Sequence, residues 1–467
     1  MIQVLRDRMK GLKVFSRGIH PPHRKKYSES LPIRVYVPKG ELMIPMVQHI
    51  GAPCEPVVKA REEVVFGQKI ADVDAPVSAP IHATVTGKIG VGTVCLLPSG
   101  RRVPALPLKP AECGALPTNV LEDFLDRHWD GVDPAGYDPD AIVQAVREAG
   151  VVGQGGATFP THFKLRRNPK TPIDTVILNG CECEPYLTAD HRLMVEAPEP
   201  IVIGLQLAVH ACGAERGIIA IEENKPDAIE AMRKAIAGRP GLDVVVCATQ
   251  YPMGGERQLI AAILGREVPS APQGLPLHVR VVVVNVATAH SIARGVVKGK
   301  PFTHRVVSVT GGGVVEPGNW LVPVGTMFSE LIAACGGVKP DAVKVLAGGP
   351  MMGPTVPHLD VPVTKGVGGI TIMTEAETAH WLESPCMRCG RCVSNCPLYL
   401  STTKIAHAVM HRDYDLAEKY HMSACCECGC CSYVCPAGIP LAQYIRAGKN
   451  QVRVIAAQKK VQDQKAG

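Results

Sequence analysis

Aromatic side chains are scarce: 7 Phe, 10 Tyr and 3 Trp make up 4% of 467 residues. Proteins that grip single-stranded nucleic acid stack bases on such rings, so a nucleic-acid partner is not expected. Long apolar runs are missing too. The longest candidates, around Pro200–Ala214 and Val279–Ala289, are short or broken by His210 and Asn285. Both fall below the ~18 apolar residues of a spanning helix. No apolar stretch follows Arg6, Arg8 and Lys10, so a secretory signal is not expected. Nor is there an acidic excess. The formal net charge is +7, with basic residues gathered in Arg17–Lys26 and Lys449–Lys465. Such ends read either as solvated surface or as contacts to an anionic membrane face or acidic partners. The expected protein is soluble or peripheral and faces the cytoplasm.

Cysteine, by contrast, is plentiful, at 18. Cys386-Met-Arg-Cys389-Gly-Arg-Cys392-Val-Ser-Asn-Cys396-Pro397 and Cys425-Cys-Glu-Cys428-Gly-Cys-Cys431-Ser-Tyr-Val-Cys435-Pro436 each read C-x2-C-x2-C-x3-C-P. Three closely spaced thiolates wrap one iron–sulfur cubane, and the fourth reaches across to the other. The spacing predicts that Cys386, Cys389, Cys392 and Cys435 hold one 4Fe–4S cluster. Cys425, Cys428, Cys431 and Cys396 are predicted to hold the second. Zinc sites use two spaced Cys pairs rather than triplets with a trailing Cys-Pro. Cys426 and Cys430 fall between ligand positions and read as spare thiols. Cluster ligands need reducing conditions, so the cysteine count does not imply disulfides.

The length suggests about three or four domains. Residues 1–40 read as an arm, because Ser16–Pro22 suits neither a helix nor a strand interior. From Ile33 to about Lys109, short β-branched runs between Gly and Pro predict an all-β module, with the domain proper at 41–110. Glu55–Ala71 and Ser78–Gly87 resemble a biotinyl/lipoyl-type barrel-sandwich. Carriers of that type present a modifiable Lys at a hairpin tip, and none lies between Lys69 and Lys88. The module therefore reads as structural, with His82 packed or on the surface. A Pro-rich linker at 111–139 carries a helix near Val120–His128.

An α/β domain is expected over 140–298. Its predicted strands are Thr175–Leu178, Gly217–Ile221, Leu242–Val246 and Val279–Val286. Its predicted helices are Asp140–Ala149, Pro200–His210, Pro226–Ile236 and Glu256–Leu264. Such alternation implies a parallel sheet. A small β-grasp-like unit is expected over 299–375, a helical two-cluster ferredoxin domain over 376–447, and a basic tail over 448–467.

Two further stretches carry chemistry. Gly150-Val-Val-Gly153-Gln-Gly155-Gly156-Ala-Thr-Phe159-Pro-Thr161-His-Phe-Lys164 lacks the dinucleotide fingerprint. Its glycines still free backbone N–H groups for an anion-binding concavity, and Lys164 offers a point charge for a phosphate. Read alone, this is equally a plain glycine loop. Asn179-Gly-Cys-Glu182-Cys-Glu184-Pro185 follows a predicted strand, where open α/β sheets bind ligands. Read alone, it is equally a polar turn.

Together with Tyr251-Pro-Met-Gly-Gly255-Glu256 and Asn285-Val-Ala-Thr288, these stretches resemble the flavin-binding subunit of respiratory complex I. More specifically, the chain resembles the C subunits of Rnf complexes, the ion-translocating NAD:ferredoxin oxidoreductases of bacterial membranes. The likeness rests on Gly18-Ile-His20-Pro-Pro22, Gln48-His-Ile-Gly-Ala-Pro53, Cys183-Glu184-Pro-Tyr-Leu-Thr-Ala-Asp190-His-Arg-Leu-Met194, the Cys runs and Ile439–Arg446. The domain order also agrees, and the resemblance covers nearly the whole chain.

The resemblance implies non-covalent FMN, NADH or NAD as substrate, and two 4Fe–4S clusters. It implies that Gly153, Gly155, Gly156 and Lys164 carry phosphate groups and that Phe159 packs against a ring. Asn179, Glu182, Glu184, Glu256, Asn285 and Thr288 would line the flavin and nicotinamide site, with Glu184 and Lys164 placed closest to the chemistry. Thr158 and Cys181 depart from the related sequences, which have Gly and an acid there. The implied partners are the other subunits of the membrane complex and, through a ferredoxin-binding subunit, ferredoxin or flavodoxin. The implied location is peripheral, on the cytoplasmic side of the inner membrane. A cobalamin reductase of bacterial microcompartments shares the flavin and cluster modules, but here the barrel-sandwich precedes the glycine loop. A relay scaffold with clusters and a degenerate flavin site is the non-catalytic rival.

Overall fold

The computed structural model describes residues 2–126, 128–129, 131–270, 274–378 and 382–466. They divide into two bodies, one of residues 22–247 and 280–378, the other of 1–21, 248–279 and 379–467.

The first body carries three β modules. In the barrel-sandwich, antiparallel strands are ordered Leu42–Pro45, Arg102–Pro110, Gly87–Ile89 and Glu63–Val64, with Thr93–Leu96 also on Arg102–Pro110. Glu55–Pro56, Lys69–Asp72 and Ile81–His82 form a second small sheet. Leu42, Ile44, Ile70, Ile81, Ile89 and Leu108 fill the space within. His82 is buried there, as a packed histidine.

The α/β module has four parallel strands in the order Leu242–Cys247, Arg216–Glu222, Thr175–Asn179, Val281–Asn285. β-Branched runs such as Val281-Val-Val-Val form strands buried on both faces, as parallel sheets require. Helices Pro198–Cys212 and Val286–Lys298 cover the sheet. They approach so closely that a Cβ on Gly204 would meet the Ala289 carbonyl at 1.8 Å, which only glycine avoids. In chain order the strands run 3-2-1-4. The direction of winding reverses between Thr175–Asn179 and Val281–Asn285, which opens a crevice at their C-terminal ends.

The fourth sheet is mixed, ordered Ile33–Val35, Gly318–Pro323, His304–Thr310, Gly369–Thr374, Ala342–Ala347. Contrary to expectation, Ile33–Val35 does not begin the barrel-sandwich, and residues 22–35 are no free arm. The strand pairs in parallel with Gly318–Pro323, and Ile33 is buried.

The second body is built on helices Thr402–Met410, Tyr414–Lys419 and Leu441–Ala466. The expected tail at 448–467 continues the last of these helices. Its Lys449 donates to the Cys425 carbonyl at 2.8 Å, so the helix belongs to the cluster domain. Several side chains of the Lys449–Lys465 run lie outside the described residues. The α/β span expected over 140–298 is also interrupted, since residues 248–279 belong to this second body. The reason is a clamp. Ile19 and Tyr251 exchange backbone hydrogen bonds at 2.9 and 2.8 Å, and the Gly18 amide donates to the Asn395 carbonyl at 3.2 Å. The buried Tyr251 hydroxyl donates to the Cys428 carbonyl at 2.8 Å. The linker helix ends at Leu125 rather than His128.

Candidate functional site

The two Cys runs take the same local path. Arg388 and Glu427 have φ of 56° and 59°, Gly390 and Gly429 have 73° and 81°, and short helices Arg391–Ser394 and Cys430–Tyr433 follow. This left-handed pair gives both triplets the same local curl. Backbone amides of Arg388 and Glu427 donate to Sγ of Cys386 and Cys425 at 3.4 and 3.3 Å. Such N–H donors stabilise thiolate charge. The Leu400 amide does the same for Cys396 at 3.4 Å.

Cys396 lines one pocket with Cys425, Cys428 and Cys431. The residues therefore fit a cubane ligated three-plus-one across the runs. Cys392 of the first run and Cys435 of the second pack against the same core. Cys426 and Cys430 also border the pocket, so proximity alone does not separate them from the four ligands. Among the described residues, no three Cys, His, Asp or Glu side chains converge as a single metal ion requires.

The crevice of the parallel sheet gathers most of the other predicted residues. Asn179 and Asn285 are paired positions at the ends of adjacent strands. Asn285 caps helix Val286–Lys298 by accepting from the amides of Ala287 and Thr288 at 2.9 and 3.3 Å. The glycine loop crosses this helix start, and a Cβ on Gly155 would lie 3.6 Å from Asn285 Cβ. Gln154 anchors it. Its amide donates to Thr288 Oγ1 at 2.9 Å, its Nε2 to Ala287 O and Ser291 Oγ at 2.8 and 2.7 Å, and its carbonyl accepts from Arg305 at 2.7 Å. At the base, the Gly153 amide donates to the Phe159 carbonyl at 2.9 Å. Between these fixed ends Gly155 and Gly156 are exposed over a helix N-terminus, an arrangement that attracts phosphate. Thr158 has φ of 49°, the left-handed region that glycine occupies freely, so the loop holds this backbone at some steric cost.

Other predicted residues take different positions. Lys164 Nζ donates to the Val283 carbonyl at 3.3 Å, beneath the strand end. Phe159 is half-buried, edge-on to Phe163 at 5.7 Å. Thr288 is buried and holds Gln154. The Glu182 carboxylate accepts from the amides of Asp190 and His191 at 2.8 and 3.1 Å and so caps helix Ala189–Glu196. The Glu184 carboxylate accepts from the amides of Met351 and Met352 at 3.1 and 2.9 Å. Glu256 starts a helix in the other body. Cys181 is fully buried, with its thiol toward the Ala220 carbonyl.

Three charged residues at this site escape the motifs. Asp190 accepts from Asn285 Nδ2 at 2.6 Å. Burial, then the Glu182 carboxylate, push its pKa up to about 7, against Arg305, the Asn285 hydrogen bond and Lys25. Lys225 is fully buried and donates to Cys181 O, Glu222 Oε2 and Asn224 Oδ1 at 2.6, 3.1 and 2.8 Å. Lys25 is buried behind the same turn. Only Asp190 had a signal, as part of the long stretch around Glu184.

The Asp190 environment sets a pH dependence. A carboxyl group whose pKa is raised on folding contributes stability that is complete below its ordinary value near 3.8 and lost as pH rises through about 7. Asp190→Asn mimics the protonated form. Denaturant titrations should show the wild type losing stability relative to this variant between about pH 4 and 7. Parallel curves would remove Asp190 as the titrating group.

Sequence comparison decides the family. The chain is 42% identical to the C subunit of the Na+-translocating ferredoxin:NAD+ oxidoreductase complex of Acetobacterium woodii, over 86% of this chain and 89% of that one. It is 41% identical to the C subunit of the proton-translocating ferredoxin:NAD+ oxidoreductase complex of Clostridium ljungdahlii, over 96% of each. The chain belongs to the RnfC family. A third RnfC relative, from the ion-translocating oxidoreductase complex of Rhodobacter capsulatus, is 40% identical over 93% of this chain and 82% of its own. Family matches follow the modules: an RnfC barrel-sandwich hybrid domain at 13–110, a Nuo51 FMN-binding domain at 146–294, an SLBB domain at 306–355 and a 4Fe-4S dicluster domain at 384–439. As a member of the RnfC family, the chain is one part of a multi-subunit complex.

Proposed function

We propose that this RnfC chain is the subunit through which electrons enter or leave a ferredoxin:NAD oxidoreductase complex at the nicotinamide end. The observation that carries the reading is the switch-point crevice, where Asn179 and Asn285 end adjacent strands beneath the glycine loop. When bound there, FMN supplies exchange between hydride and single electrons, and the 4Fe–4S centres supply one-electron carriage. The chain's own residues bind and orient. Gly155 and Gly156 with the Val286–Lys298 helix start would receive phosphate. Asn179 and Asn285 would face the ring, with Glu182 and Glu184 shaping the turn beside them.

Among the described residues no helix is long and apolar enough to cross a membrane. Relatives of nearly equal similarity are named for different ions. Ion movement is therefore assigned to other subunits of the complex. Ferredoxin or flavodoxin would engage through a separate ferredoxin-binding subunit. The chain itself would sit peripherally on the cytoplasmic side of the inner membrane.

The test uses the full chain reconstituted with iron, sulfide and FMN. NADH should bleach the flavin absorbance and then reduce the clusters, seen by electron paramagnetic resonance. Asn179→Ala should lower flavin retention several-fold and leave iron content unchanged. A chain that retains clusters but never FMN would favour the relay scaffold instead.

A further inference from the structure

The turn from Cys181 to Leu187 is strained. Glu182 and Tyr186 have φ of 43° and 71°, and neither is glycine. Two left-handed residues within five persist only where the surroundings enforce them. The enforcement comes from the N-terminal segment. Lys25 is fully buried, and its Nζ donates to the carbonyls of Glu182, Glu184 and Leu187 at 2.8, 3.1 and 2.5 Å. The Tyr186 amide donates to the His23 carbonyl at 2.9 Å. The Tyr27 and Tyr186 rings stack at 6.0 Å, and both hydroxyls donate to Glu377 Oε1, at 3.0 and 3.1 Å. Ser28 Oγ and Thr188 Oγ1 lie 2.7 Å apart. Lys225 takes the Cys181 carbonyl. In a trans peptide, C=O and the next N–H point opposite ways. Each of the peptides after Cys181 and Glu182 therefore turns its N–H away from the ammonium ion that its carbonyl meets.

A buried ammonium must be hydrogen-bonded to be tolerated at all, and three carbonyls of one strained turn meet that need. Resting on the flavin reading above, we infer that Lys25 is a positioning residue of the flavin site, ordering the Cys181–Leu187 turn before any ligand arrives. Preorganisation of this kind shows as affinity, because binding then bears no cost of ordering the loop.

The experiment compares Lys25→Met with Lys26→Met, a less buried neighbour, in full-length iron-loaded protein titrated with FMN and followed by fluorescence quenching. Lys25→Met should keep its iron and weaken FMN binding at least tenfold, while Lys26→Met binds as the wild type does. Equal FMN affinity in a folded Lys25→Met protein overturns the inference. If the wild type itself binds no FMN, the flavin reading fails instead. Amide exchange on the wild type then decides about the turn, as it does if Lys25→Met fails to fold. Amides of residues 182–188 should exchange as slowly as the Thr175–Asn179 strand in protein without flavin. Fast exchange there, slowed only by added FMN, overturns the inference.

Discussion

Cys396→Ser should remove about half of the roughly eight irons that two 4Fe–4S clusters bring to the chain. The loss should fall on the cluster of the other run, because Cys396 faces the pocket of Cys425, Cys428 and Cys431 rather than closing its own triplet. Combining substitutions makes the assignment sharp. Cys396→Ser with Cys428→Ser should lose no more iron than either alone, since both thiols serve one cluster. Cys396→Ser with Cys389→Ser should lose nearly all of it. Cys426→Ser and Cys430→Ser should retain full iron despite bordering the same pocket. Loss of a whole cluster in either of those, or additivity in the first pair, would overturn the ligand set.

Lys225→Met is expected to be the most destabilising single substitution in the α/β module. The side chain is fully buried and its partner Glu222 is nearly so. Burial pulls the Lys225 pKa down, but Glu222 and Glu182 outweigh it and raise the pKa, so the ammonium stays charged. Removing it strands the Glu222 carboxylate and the Cys181 carbonyl away from water. Breaking a buried pair from one side costs about 3–5 kcal/mol. In a body of this size that lowers the melting temperature by on the order of 10 °C. Glu222→Gln in the same chain should recover part of the loss, because the stranded charge is then gone. A shift of only a degree or two in Lys225→Met would mean that the pair contributes little.

The grouping of Cys396 with Cys425, Cys428 and Cys431 around one pocket was legible in the spacing of the cysteines. The sheet was legible because runs such as Val281–Val284 can only be buried strands. Pairings set by distant chain were not. Ile33–Val35 has no local feature that points to Gly318–Pro323. Residues 248–279 read as part of one alternating domain, yet Tyr251 answers to Cys428. Lys25 stood in a basic run that reads as solvated surface or as a contact to an anionic face or acidic partner. Nothing local announces that one lysine of that run is buried behind a turn more than 150 residues away. The acids Glu182 and Glu184 stand out in the sequence for their charge. The structure spends that charge on backbone amides of the protein, a use that a motif cannot reveal.

The N-terminal clamp has a consequence for how the chain folds. Phe15 to His20 lie far ahead of their partners in the chain. Their partners in the clamp are Thr249 to Tyr251 and, for Arg17, the Val393 carbonyl 376 residues later. Contacts of such sequence separation form slowly. The barrel-sandwich and parallel sheet can therefore complete themselves early, while the opening segment waits for Thr249 to Tyr251 and, for its last contacts, the first cysteine run. Closure of the clamp is then a late event in folding.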